Sequence, residues 1–335
     1  MTPVKIAQIG TGHDHAVYTM ASIRKLECFD VVGIAEPNPA YAHRLKQKTY
    51  EGLSVYTVDE LLALDELEAV CIECEEENAT KYAQLFADRG IHVHLDKPGS
   101  HGYASFEKMV ETLRSKKLVL HMGYMYRYNP TVMRVLQMAR RGELGEIYSV
   151  EAHMSVHHPK EKHKWLSNYK GGMMYFLGCH DIDLVLQFMG TDPEEIISLN
   201  SKTGQSDPNC EDYGFCVFKY KNGVSFVKAC AAEYNGFDRR QLVVCGTKGT
   251  VEIKPFEIKA GVSLQQTTGR FTNDTIEDSK IWQERSEVLD CGAYDRYDGM
   301  MQSFAEHIRG ISENPYTYDY ELSLFKTVMK CCGAE

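Results

Sequence analysis

Residues Val4–Ile9 read as a strand, and Gly10-Thr11-Gly12 follows without a gap. Apolar residues then recur at Val17, Met20, Ala21 and Leu26, the spacing of a helix. Few folds take a strand through paired glycines directly into a helix. The first glycine permits a tight turn. The second lets a pyrophosphate approach the backbone, where a helix amino terminus stabilises its charge. The third glycine position of the G-x-G-x-x-G pattern holds His15, where a small residue ordinarily allows close helix–strand packing.

Further strands and helices alternate after this unit. The run 31–35 is a strand that ends at Glu36. An acid there can accept hydrogen bonds from ribose hydroxyls, and no arginine follows at once to receive a 2′-phosphate, so NAD is favoured over NADP. The alternative for Glu36 is a solvated acid before the Pro37-Asn38-Pro39 turn. Thr57 and Glu60 form a capping box that opens a helix through Leu61, Leu62 and Leu64. The run 69–72 is a strand followed by the acidic stretch 73–77; Asn78 is the expected cap of the next helix and Gly90 its end. His92 to Leu95 form a strand that stops at Asp96-Lys97-Pro98-Gly99. Proline holds the lysine before it extended, at the strand edge where open α/β sheets bind ligands. Phe106, Met109, Val110 and Leu113 mark a helix, and 118–120 a strand. This alternation implies a parallel, doubly wound sheet over residues 1–122.

From residue 123 the pattern changes. An aromatic loop, 123–130, precedes a helix through Val132, Val135, Leu136 and Ala139. Apolar residues alternate along 148–156, and the segments 215–220 with 224–229, and 241–245 with 251–253, read as hairpins. Residues 123–335 therefore form an α/β domain with a large, mostly antiparallel sheet, closed by helices near 300–311 and 320–331.

A net charge of −10 argues against nucleic acid as a partner. No apolar run approaches a membrane span, and no signal peptide is visible, so a cytoplasmic location is expected. The eleven cysteines are scattered, with Cys71, Cys216, Cys230 and Cys245 in strand-like runs, as for reduced buried thiols. Cys71 and Cys74 have metal-pair spacing but lack a second pair, and no metal is expected. His157, His158 and His163 stand before Trp165 in a loop that is either a solvated surface or a contact for substrate, the latter favoured over metal binding.

Together, Gly10-Thr11-Gly12, Glu36, Asp96-Lys97-Pro98, Tyr126-Arg127-Tyr128-Asn129-Pro130, and Gly171-Gly172 through His180-Asp181-Ile182-Asp183 resemble the Gfo/Idh/MocA oxidoreductase family. The resemblance covers nearly the whole chain. It implies an amino-terminal Rossmann domain, an open-faced sheet through which copies pair as homodimers or homotetramers, and NAD(P)-dependent chemistry on sugars or polyols. It makes Lys97 the catalytic lysine and His180 the general acid/base, with Tyr126, Trp165 and Asp183 beside Lys97 and His180 in contact with substrate. The cofactor residues implied are Gly10, Thr11, Gly12, His13, His15, Glu36, Cys74, Glu75, Asp96, Lys97 and Arg127. His180 and Asp183, three apart, would share a helix face.

The chain departs from the family pattern twice. Phe176 stands where an aspartate usually precedes the histidine by four residues, so another group must orient His180; Asp183 or an acid of the 73–77 run is the candidate. Glu75-Glu76 replace a usual Pro-Asn pair and change the charge near the nicotinamide. The function expected is an NAD-dependent dehydrogenase or reductase acting on a carbinol or carbonyl of a sugar, polyol or glycoside. The alternatives are an NAD-using glycoside-cleaving enzyme, which oxidises transiently, eliminates and re-reduces, and a non-catalytic cofactor-binding regulator.

Overall fold

The computed structural model describes residues 1–205, 207–261, 264–274 and 285–334. In chain order its first half runs β1 (Val4–Ile9), α1 (Ala16–Lys25), β2 (Phe29–Ala35), β3 (Val55–Tyr56), α2 (Val58–Leu62), β4 (Ala69–Ile72), α3 (Glu76–Arg89), β5 (His92–Leu95), α4 (Tyr103–Ser115) and β6 (Leu120–Met122). There follow α5 (Pro130–Arg140), β7 (Ile147–Ser155), α6 (Lys160–Leu166), α7 (Cys179–Met189), β8 (Glu195–Ser201), β9 (Tyr213–Tyr220), β10 (Gly223–Cys230), β11 (Gln241–Gly246) and β12 (Gly249–Ile253). The chain closes with β13 (Ile258–Lys259), β14 (Leu264–Thr272), β15 (Glu287–Asp295), α8 (Asp298–Ile308) and α9 (Tyr318–Cys331).

These elements form two compact units, Met1–Met125 with Tyr297–Leu322, and Tyr126–Arg296 with Ser323–Glu335. The sequence reading put the boundary at 122/123 and assigned everything after it to the second domain; the structure returns 297–322 to the first. Side chains far apart in sequence account for this. Ser22 of α1 donates to Asp298 of α8 at 2.7 Å, and the Arg309 guanidinium pairs with Glu68 at 2.6 and 2.8 Å.

In the first unit, six strands pair in the order β3-β2-β1-β4-β5-β6, all parallel. The order reverses direction at β1, so the crevice between the β2 and β4 connections lies directly beyond the glycine turn, the place where such sheets bind ligands. The strands are apolar runs, as expected of a sheet covered on both faces. One face nevertheless carries a buried polar row, in which Gln8 pairs in register with Cys71, Cys71 with His94, and His94 with His121. Three local boundaries differ from the sequence reading. Helix α2 stops at Leu62. Helix α3 starts at Glu76 behind an extended Glu75, not at Asn78, and so puts Glu76 and Glu77 in its first turn, where the helix dipole favours acids. Strand β6 begins at Leu120, after a turn through Lys117 at φ +56°.

The second unit is built on a nine-stranded sheet in the order β13-β14-β12-β11-β7-β10-β9-β8, with β15 on β14. Only β7 and β10 pair in parallel among its described strands. The two expected hairpins are present, β9–β10 turning through Lys221-Asn222 and β11–β12 through Thr247-Lys248. Alternating burial along β8, β9 and β11 leaves one face of the sheet open. Ile197, Leu199 and Val224 are exposed there, and Phe215 stacks on Phe226 at 5.4 Å.

Candidate active site

In the first unit, β1 ends in Gly10 at φ +84°, a conformation that favours glycine. A Cβ at Gly10 would stand 2.6 Å from the Cys74 Cα, and one at Gly12 would stand 2.9 Å from the Glu75 Cγ. The loop after β4 therefore presses on the turn, and only glycines leave room. The Glu36 carboxylate is stitched to the same turn. It accepts the Thr11 N–H at 2.7 Å and the Thr11 hydroxyl at 2.5 Å through one oxygen, and the Asn38 N–H at 2.9 Å through the other. A carboxylate has about four acceptor positions, so capacity remains for ribose hydroxyls. Sequence reasoning missed Arg44. Its guanidinium donates to the Thr11 carbonyl and, at 3.2 Å, to the Gly12 carbonyl, and lies 4.2 Å over the Tyr41 ring. A cation does stand at this turn, eight positions after Glu36.

Strand β5 delivers Asp96 and Lys97 to the same edge. Lys97 is 1% exposed, and its N–H donates to the Asp96 carboxylate at 2.7 Å. Gly123 makes room for that carboxylate, since a Cβ there would meet it at 2.7 Å. The His13 and His15 Nδ1 atoms lie 2.8 and 3.0 Å from Asp96 Oδ2. Burial alone would raise the Asp96 pKa, but the two histidines hold it well below the usual carboxylate range. Burial pulls His13 down, yet the Asp96 charge and hydrogen bond prevail and the net shift is upward. His15 follows burial and falls to about 4. Burial, with Asp96 adding repulsion, pushes Glu73 well above its ordinary value. The interior behind Lys97 thus divides two acids and two bases into unlike roles. His15, the residue at the third glycine position, is part of this cluster.

In the second unit, Asn129 caps α5 by accepting from the Thr131 N–H at 2.9 Å, and the preceding aromatic segment is a short 3₁₀ turn, Met125–Tyr128. Its Arg127 is paired with Asp183 of α7: Nε lies 3.0 and 3.1 Å from the two oxygens and Nη2 2.8 Å from one. Gln187 donates to the same carboxylate at 2.9 Å. The cofactor role expected of Arg127 and the substrate role expected of Asp183 thus fall on one buried ion pair. Tyr126 lies edge-on to His180, ring centroids 4.8 Å apart, and both are buried. The Tyr126 hydroxyl donates to Glu257 at 2.9 Å and accepts from Arg240 at 3.0 Å, while Arg296 clamps Glu257 at 2.8 and 2.9 Å. Spacing gave no sign of Glu257, Arg240 or Arg296, which lie more than a hundred residues from Tyr126 in sequence.

A π-type turn, Met174–Gly178, runs straight into α7. Such turns often mark functional sites. Phe176 lies in it and packs edge-on against Trp165 at 5.1 Å, with the Lys162 ammonium 3.7 Å over the indole and 4.0 Å over the phenyl ring. The three histidines expected in a loop separate here. His157 stacks on exposed Tyr234 at 4.4 Å, whereas His163 is buried in α6, 3.5 Å from Asp212. Among the described residues, the groups with metal-competent spacing are His13, His15 and Asp96, and Cys71, Glu73 and His94.

Residues 4–124 match the oxidoreductase family with the NAD-binding Rossmann fold, and residues 132–252 match the Gfo/Idh/MocA C-terminal domain. The chain belongs to the Gfo/Idh/MocA oxidoreductases. It is 24% identical to an uncharacterized oxidoreductase of Schizosaccharomyces pombe over 80% of this chain and 73% of that protein. It is also 24% identical to a D-xylose 1-dehydrogenase (NADP(+)) of Haloferax volcanii, over 68% of this chain and 70% of that one. Its fold is similar to that of an Agrobacterium radiobacter oxidoreductase solved with NAD+, L-tartaric acid and magnesium, with a TM-score of 0.81 at 15% identity, covering 99% of this chain and 97% of that one. Among the described residues, no helix is long and apolar enough to cross a membrane.

Proposed function

We propose that the protein is an NAD-dependent oxidoreductase that moves a hydride between the nicotinamide and a carbinol or carbonyl carbon of a sugar, polyol or glycoside. The observation that carries this reading is a buried lysine at the carboxyl end of β5, in the unit that also holds the glycine turn and Glu36. The site fits a dinucleotide in its two backbone glycines, the α1 amino terminus beyond them, and an acid at the β2 end. The nicotinamide, when bound, supplies the hydride acceptor or donor. Lys97 stabilises the developing alkoxide, and His180 takes or returns the hydroxyl proton. The Arg127–Asp183 pair holds the first turns of α7 and the segment carrying Tyr126 in one arrangement, and Tyr126 packs against His180. The relatives named for xylose oxidation and complexed with tartaric acid support a polyhydroxylated substrate.

Glu36 favours NAD, because a 2′-phosphate would meet like charge, whereas Arg44 would favour the phosphate. With Glu36 closer to the ribose position at the strand end, NADH binds more tightly than NADPH. Fluorescence titration with both dinucleotides tests this, and equal dissociation constants would refute it. The same reading places the enzyme in the cytoplasm as a homodimer or homotetramer, paired through the open face that exposes Ile197, Leu199 and Val224. Sedimentation equilibrium of the parent and of Leu199→Lys measures that assembly.

A further inference from the structure

One residue does not fit a crevice open to a dinucleotide. Strand β1 lies between β2 and β4, so the connections after β2 and β4 flank its glycine turn. Asn38 stands on the first connection and Glu75 on the second. The Asn38 side-chain amide donates to Glu75 Oε1, and that bond spans the turn from one flank to the other. The Glu75 side chain lies along Gly12, its Cγ and Cδ 2.9 and 3.0 Å from the point a Cβ would occupy. A carboxylate thus rests on the backbone that the fold reserves for a diphosphate. Its second oxygen, Oε2, is buried without a hydrogen-bond partner among the described residues. Leaving this position gives up the Asn38 bond and lets the second oxygen reach water.

We infer that Glu75 and Asn38 form a strap across the dinucleotide crevice, which the cofactor must part before its diphosphate can reach the glycine turn. The inference rests on the dehydrogenase reading and makes Glu75 a residue that sets cofactor affinity. The closed strap puts a negative charge where the incoming diphosphate brings two more, beside Glu36 on the same crevice. Both the lost Asn38 bond and the repulsion are costs of binding. In this chain Gly12 is therefore required by Glu75 as well as by the cofactor.

The test is the dissociation constant of NADH, read from cofactor fluorescence, for the parent, Glu75→Ala, Glu75→Gln and Glu77→Gln. Glu77 is exposed in the first turn of α3, two residues beyond Glu75, and its variant makes the same change in charge at a neighbouring position. Removal of the strap in Glu75→Ala tightens NADH binding on the order of tenfold. Glu75→Gln, which keeps the side-chain volume and needs no repacking, tightens it by a smaller factor, and Glu77→Gln shifts it less than about twofold. An affinity in Glu75→Ala and Glu75→Gln equal to or weaker than the parent's, with the parent binding NADH, overturns the strap alone. So does a shift in Glu77→Gln as large as that in Glu75→Gln. Absence of saturable binding of NADH and NADPH by folded parent and variants alike overturns the dehydrogenase reading itself.

Discussion

Replacing Asp183 by alanine separates a structural role for that carboxylate from a purely substrate-binding one. Its side chain and that of Arg127 are 2% and 1% exposed, and the pair is bidentate. Removing one partner of such a pair leaves the other charge buried and uncompensated, which costs about 3–5 kcal/mol. Gln187 loses its acceptor as well, which adds to the loss. Two apolar residues of similar volume remove both charges together, and such replacements are often neutral. Asp183→Ala is therefore expected to lose about 3–5 kcal/mol, and Arg127→Met with Asp183→Leu to recover most of that. Urea denaturation at unchanged m-value reads the difference. If Asp183 only holds substrate hydroxyls, Asp183→Ala would keep its stability and raise KM. A stability loss below about 1 kcal/mol, with the double variant no better than the single, would refute the structural assignment.

Two further outcomes follow from the first unit. Lys97→Ala is expected to lower turnover on the order of a hundredfold or more while changing NADH affinity little, because its charge acts mainly on the developing alkoxide; near-normal turnover would end its assignment as a catalytic residue. Burial holds His15 and His94 at about 4 against about 6.5 in the unfolded chain, so the folded state binds fewer protons between those values and loses stability as pH falls through that window, by on the order of 3 kcal/mol for each histidine. Glu73 and Asp181, raised by burial, act in the opposite sense, so the measurement is the difference between parent and His94→Gln in stability from pH 7 to 4. The variant should lose less, and equal losses would contradict the shift at His94.

Much of this was legible in the sequence because it is local. The glycine turn, the alternation of strands and helices to residue 122, the Thr57 capping box and the β9–β10 hairpin each rest on residues a few positions apart, where periodicity and turn chemistry decide the outcome. Glu36 and Lys97 stood out at strand ends, whereas His180 came from the family pattern. What was not legible depends on distance. Helix α8 joins the first unit through a bond between residues 22 and 298. Arg127 meets Asp183, and Tyr126 meets Glu257, only once the second unit has folded. The π-type turn at Met174–Gly178 shifts the register behind His180, so counting four residues back to Phe176 did not reveal what that ring packs against. His15 was a mismatch to the glycine pattern; its pairing with Asp96, eighty-one positions away, supplies the physical reason.

The most direct test of the account follows the hydride itself. Purified enzyme is incubated with NAD and a panel of sugars and polyols deuterated at their carbinol carbons, and the reduced cofactor is analysed by mass and proton resonance. The account predicts stoichiometric NADH carrying one deuterium at nicotinamide C4, formed from at least one polyhydroxylated substrate and lost in Lys97→Ala. Release of an aglycone from glycosides with no net reduced cofactor would contradict it in favour of transient oxidation and re-reduction. Saturable NAD binding with no transfer from any member of the panel would contradict it in favour of a cofactor-binding regulator.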